Sequence, residues 1–112
     1  MKPPRLNRKL VLEAPQRVPD GAGGFAESWS PLGEVWARVE SRTGRETSGE
    51  ATPLAQVSYK ITLRAAPVGS SARPRPEQRF RDGPRVFRIN AVAEADEAGR
   101  YLTCFADEEV IA

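Results

Sequence analysis

Residues 18–40, VPDGAGGFAESWSPLGEVWARVE, set a turn beside two alternating runs. Asp20-Gly21 and Gly23-Gly24 offer the positive φ angles that a tight reversal needs, which glycine adopts without a Cβ clash. Phe25, Glu27 and Trp29 alternate with Ala26, Ser28 and Ser30, the period of a half-buried strand. After a break at Pro31-Leu32-Gly33, Val35, Ala37 and Val39 point one way, while Trp36, Arg38 and Glu40 point the other. The segment therefore reads as strand, turn, strand, with a long polar interruption after it.

The same period recurs on both sides. Arg8–Ala14 alternates around Leu10 and Leu12 and is expected to end at Pro15. Val57, Tyr59, Ile61 and Leu63 alternate with Ser58, Lys60, Thr62 and Arg64, the clearest amphipathic strand in the chain. A short strand at Gln78–Arg81 turns at Asp82-Gly83 into Arg85–Val92, and a turn at Glu94–Gly99 leads to a last strand, Arg100–Ala106. Six or seven short antiparallel strands predict an all-β sandwich or small β-barrel. The barrel is favoured because closure removes the exposed edges of an open sheet.

A length of 112 residues with 39% hydrophobic and 29% charged composition fits one domain, residues 1–112. Residues 1–7 read as a flexible basic arm and 107–112 as an acidic tail. Ten prolines and nine glycines oppose a helical bundle. No run approaches the roughly 20 apolar residues of a membrane span, and the N-terminus has no secretory pattern. The chain is expected in the cytoplasm when made, without a membrane partner.

A single cysteine, Cys104, excludes an internal disulfide and reads as a small core residue. With no histidine, the commonest general base and metal ligand is missing. The acidic residues at 94–97 and 107–109 lack the spacing of a calcium loop, and Gly21–Gly24 precedes a strand rather than the helix of a phosphate loop. No catalytic pair, metal site or cofactor site is expected.

The net charge of +2 hides an asymmetry. Arg73, Arg75, Arg79, Arg81, Arg85 and Arg88 crowd one segment, whereas Glu94, Asp96, Glu97, Asp107, Glu108 and Glu109 dominate the last. This is either a composition bias or a set of arginine forks for carboxylates at a subunit boundary or for phosphates, with Arg73, Arg75, Arg79 and Arg81 the candidates. Two connections exceed the usual 4–6 residues or so. Residues 41–56, SRTGRETSGEATPLAQ, form an oversized hairpin tip with Arg42, Thr43, Gly44, Arg45, Glu46, Thr47, Glu50 and Pro53. That tip is either merely solvated or a contact element. Residues 65–77 carry Arg73-Pro74-Arg75-Pro76, an extended basic run. Trp29 and Trp36 fit core or interface positions better than base stacking, because no row of exposed aromatics surrounds them in sequence.

Taken in order, these pieces resemble a known family. Leu10-x-Leu12-Glu13-x-Pro15 precedes Asp20-Gly21-x-Gly23-Gly24-Phe25, then Trp29, Val35-Trp36-Ala37-Arg38-Val39-Glu40 and Gly44-x-Glu46. Tyr59-x-Ile61-Thr62-Leu63-Arg64, Val86-Phe87-Arg88-Ile89 and Tyr101-Leu102-Thr103-Cys104 follow. The chain resembles the head–tail joining proteins of tailed bacteriophages, also called head-closure or stopper proteins, and the related component of gene transfer agents. The resemblance implies a small β-barrel that assembles with itself as a ring, typically a dodecamer, in the neck of the virion. The implied neighbours are the portal-side adaptor and the tail or tail-terminator proteins, with DNA passing non-specifically through the lumen. It implies too that the 41–56 loop gates the channel or docks on the adjoining ring. The 65–77 loop is longer and richer in arginine than the family pattern. Two other readings stay open: a small nucleic-acid-binding barrel using residues 73–88, and a different neck component such as a tail terminator.

Overall fold

The computed structural model describes residues 3–42 and 57–109. Among them are six antiparallel strands: β1 (Arg8–Pro19), β2 (Phe25–Arg42), β3 (Ser58–Arg64), β4 (Arg79–Asp82), β5 (Arg85–Glu94) and β6 (Tyr101–Glu109). They close in the order β1-β2-β3-β6-β5-β4, with β4 returning to β1 through Val11↔Arg81, Leu12↔Phe80 and Glu13↔Arg79. The all-β barrel read from the alternating runs is the fold observed.

The alternation also places the core. Leu10 and Leu12 of β1, Ala37 of β2, Ile61 and Leu63 of β3, Phe80 of β4, Phe87 and Ile89 of β5, and Leu102, Cys104 and Ala106 of β6 fill the interior. Tyr59 packs edge-on against Phe87, ring centroids 5.0 Å apart. Cys104 is fully buried, and burial pushes its thiol up to about 12, so it is a packing residue rather than a nucleophile. Two bulges, at Leu32 opposite Leu12/Glu13 and at Asn90 in β5, add the local twist that helps a short sheet curl shut.

Several boundaries differ from the sequence reading. The break at Pro31-Leu32-Gly33 is not a break. β2 is one 18-residue strand that absorbs Leu32 as a bulge and keeps its pairing with β1 on either side. Likewise β1 does not stop at Pro15 but continues to Pro19. Beyond Glu13 it has β2 on one side and no strand of the described residues on the other, and a proline is tolerated where no ladder bond is required of its nitrogen. Residues 107–109 are not a tail: they complete β6, paired to β3 and β5.

The two long strands thus outrun the barrel. Among the described residues, Ala14–Pro19 and Phe25–Ser30 pair only with each other and form a two-stranded ribbon. Six residues beyond Glu13 at about 3.3 Å each carry it roughly 20 Å outward. Its tip is a compact turn. Asp20 Oδ1 accepts from the backbone nitrogens of Ala22 (2.8 Å) and Gly24 (3.0 Å), and Gly21 and Gly23 have φ of +81° and +87°. Gly24 is required for a different reason from the one expected. Its φ is not positive, but a Cβ there would lie 2.9 Å from Asp20 Oδ2.

Antiparallel closure fixes which features share an end. Arg8, Arg42, Ser58, Asp82, Arg85 and Glu109 mark one end, where the chain leaves toward residues 43–56. The ribbon, the 65–77 connection and the 95–100 turn leave from the opposite end.

Candidate assembly surfaces

Besides the two strands that run on into the barrel, a side-chain cluster ties the root of the ribbon to β4. Glu13, only 5% exposed, lies between two arginines of β4: Arg79 Nε donates to its Oε1 at 2.7 Å and Arg81 Nε to its Oε2 at 2.9 Å. Burial alone would raise the Glu13 pKa, but the hydrogen bonds and charges of Arg81 and Arg79 outweigh it and hold the carboxyl below the usual carboxylate range. The Arg79 guanidinium also lies against Trp29 of the ribbon, 4.1 Å from the ring centroid. Trp29, Arg79, Glu13 and Arg81 form a continuous stack across the ribbon's root. Two of the arginines proposed for outside contacts are therefore engaged within the chain.

Further out the ribbon is bare. The alternation of residues 25–30 suggested a half-buried strand, but Phe25 is 61% exposed and Ala26, Glu27 and Ser28 are exposed as well. Outside the barrel no second layer of the described residues covers either face. Val18 is 45% exposed, and Arg17 lies over the Phe25 ring at 5.1 Å.

At the ribbon's root, a cleft of about 380 Å³ separates Ala14 and the bulged Leu32 from the 65–77 connection, with Val68, Ser70, Arg73 and Arg75 on its far side. That connection is built on specific bonds. Arg73 Nη1 donates to the Ala66 carbonyl at 3.1 Å, the Arg75 backbone nitrogen donates to Gln78 Oε1 at 2.9 Å, and Pro74 is fully buried. Val68, at its crest, is 84% exposed.

The opposite end is a charge network. Arg85 Nε donates to Glu108 Oε2 at 2.9 Å and its Nη2 donates to the Tyr59 hydroxyl at 3.1 Å. Arg8 pairs with Asp82, and Arg88 lies 3.8 Å from Glu109. The hydrogen bond from Arg85 lowers the Glu108 pKa, and the same bond raises that of Arg85. Arg42 lies over Phe105, 5.0 Å from its centroid, at the mouth of the loop. Thr43, Gly44, Arg45, Glu46, Thr47, Glu50 and Pro53 lie outside the described residues.

On the outer wall Trp36 is 56% exposed, opposite Lys9. A core position for its ring is thereby excluded. Glu40, two repeats of the pleat beyond Trp36 on the same face, pairs with Arg38 at 3.2 Å. Sequence reasoning missed Glu13, Arg85, Glu108 and Tyr59 as partners, because the pairs Glu13–Arg79 and Tyr59–Glu108 span 66 and 49 positions that only the closed sheet brings together. It also missed Val18 and Val68. Their exposure becomes visible only once the ribbon and connection are known to lack cover.

The family model for the phage head completion protein matches residues 1–109. A chain of the native gene transfer agent virion particle is 60% identical, with a TM-score of 0.82 over 98% of this chain and 100% of that one. The solution structure of protein SF1141 from Shigella flexneri 2a shares the fold at 22% identity, with a TM-score of 0.65 over 93% of each chain. No curated protein matches. A family match across residues 1–109, nearly the whole length, means that this chain belongs to the phage head completion protein family.

Proposed function

We propose that this chain is a ring-forming connector in the neck of a phage-like particle, joining the portal-side adaptor to the tail and helping to close the DNA channel. Family membership makes it a structural protein of the phage head–tail region rather than a member of an enzyme family. The observation that carries the finer reading is the 60% identity, over the whole fold, to a chain of a gene transfer agent virion. The architecture supports it. A closed barrel is a stiff mount, and the ribbon and residues 43–56 leave it from opposite ends, so one copy can meet neighbours above and below. Repetition around a ring, dodecameric in the family pattern, would make weak individual contacts secure together.

The charge distribution weighs against a stand-alone nucleic-acid module. Arg79, Arg81, Arg85 and Arg88 face carboxylates of their own chain, and arginines so engaged are poor phosphate ligands. DNA contact in this reading is passing and non-specific.

The gate or docking role stays with residues 41–56 as part of the proposal. Arg42↔Ser58 is the last pair between β2 and β3, so Thr43–Pro53 can be replaced by a short Gly/Ser bridge without disturbing a described ladder. The shortened chain is expected to keep a β circular dichroism spectrum and to yield particles that lose DNA or lack tails. Fully tailed, DNA-filled particles would remove the gate from this loop. Electron microscopy of particles bearing labelled chain tests the neck position itself.

A further inference from the structure

The ribbon and the 65–77 connection leave the same end of the barrel, and each carries apolar surface that the described chain does not cover. On the ribbon this surface is Val18 and Phe25, and on the connection it is Val68. Between them opens the cleft floored by Ala14 and Leu32. An isolated two-stranded ribbon is marginal in water, so a ribbon with bare faces and unpaired outer edges gains most from being covered.

We propose that the ribbon tip of one copy seats in the cleft of a second copy of this chain. The proposal rests on the ring reading above and names the surfaces that join neighbours within it. Charge selects the occupant. Asp20 and Glu27 of the ribbon form no ion pair among the described residues, Arg17 across the ladder from Glu27 being turned onto Phe25 instead, and Arg73 and Arg75 at the cleft form none either. The remaining ribbon charge, Arg17, is laid over Phe25 and travels with that apolar anchor. The register puts Phe25 and Glu27 on one face of the ribbon and Val18 on the other. Phe25 therefore buries against Val68, on the side of the cleft where Arg75 and Arg73 meet Glu27 and Asp20, while Val18 buries against Leu32.

The contact is heterologous: each copy offers one ribbon and one cleft, two different surfaces. Contacts of this kind propagate around a circle and close where the rotation permits, whereas a self-complementary patch would stop at two copies. The barrel wall has no open edge for a visiting strand, so the ribbon docks through side chains rather than by extending the sheet.

The test uses assembled particles carrying the chain with both Phe25→Cys and Val68→Cys. Cys104 is buried and stays silent under mild oxidation. A ladder of covalent multimers that collapses on reduction, absent when either substitution is made alone, is the expected result. Particles with a visible ring of this chain but only monomers after oxidation would overturn the ribbon-in-cleft contact and leave the ring standing. Dimers from Phe25→Cys alone would also overturn it, as a symmetric ribbon-to-ribbon contact. A neck without a ring of this chain would bring down both readings. If the double-cysteine chain fails to assemble, a charge exchange replaces it: Arg75→Glu should cut incorporation at least tenfold and Glu27→Arg in the same chain should restore it, and no restoration counts against the contact.

Discussion

Arg79 lies between Trp29 and Glu13, its guanidinium 4.1 Å from the indole centroid and its Nε 2.7 Å from the carboxylate. A residue of the four-residue strand β4 thus holds the base of the ribbon. Removing Glu13 leaves Arg79 and Arg81 side by side without the anion that both face. Glu13→Ala is expected to lower stability by about 2–4 kcal/mol, toward the lower part of the range for a broken buried pair because Arg81 is partly solvated. Chemical denaturation measures it, and a loss under about 0.5 kcal/mol would show that the cluster is incidental.

Acid should weaken the fold in a defined window. Glu13 and Glu108 both have folded-state pKa values below the ordinary value of 4.5. A depressed carboxylate pKa contributes stability that is present above the unfolded-state value and lost as pH falls through the folded-state one. Urea midpoints should therefore hold steady from pH 8 to about 5 and decline below about 4.5. The chain has no histidine, so no imidazole adds a step near neutrality. The Glu13→Gln, Glu108→Gln double variant should start lower and show a shallower acid limb. An acid limb parallel to that of the unaltered chain would mean that other carboxylates carry the effect.

Two aromatic residues should behave oppositely. Phe87→Ala removes a fully buried ring packed against Tyr59 and Arg85, at an expected cost of about 3–5 kcal/mol. A thermal melt shifted by less than a few degrees would contradict the packing described.

Trp36→Ala should change monomer stability by no more than about 1 kcal/mol, since its ring stands outside the barrel wall. If Trp36 is an assembly contact, the variant will fold yet enter particles poorly. Normal incorporation would place the ring on an idle surface.

Much of this architecture is legible from local pattern. The period of Val57–Arg64 and of Leu10–Leu12 marks the core faces because burial on one side of a pleat leaves a repeat of two. Asp20-Gly21 and Asp82-Gly83 announce their turns through backbone angles that few other residues accept. Strand ends were harder to read. Pro15 and Pro31 look like terminators until it is known that one strand lies outside the barrel and that the other sits at a bulge. The assembly surfaces were less legible still. Trp29 and Trp36 look alike in sequence, yet one is stacked on Arg79 and the other faces outward, a difference decided by partners 50 residues away in Trp29's case.

The ribbon is not an appendage attached by a hinge, since its two strands continue unbroken into the barrel as β1 and β2. A tug on its tip pulls β1 along β4 and β2 along β3, parallel to the strands. Ladders strained lengthwise must give way many bonds at once, whereas a peeled edge unzips singly. Whatever grips the tip is therefore coupled mechanically to the whole barrel, and the molecule transmits tension as a strut does.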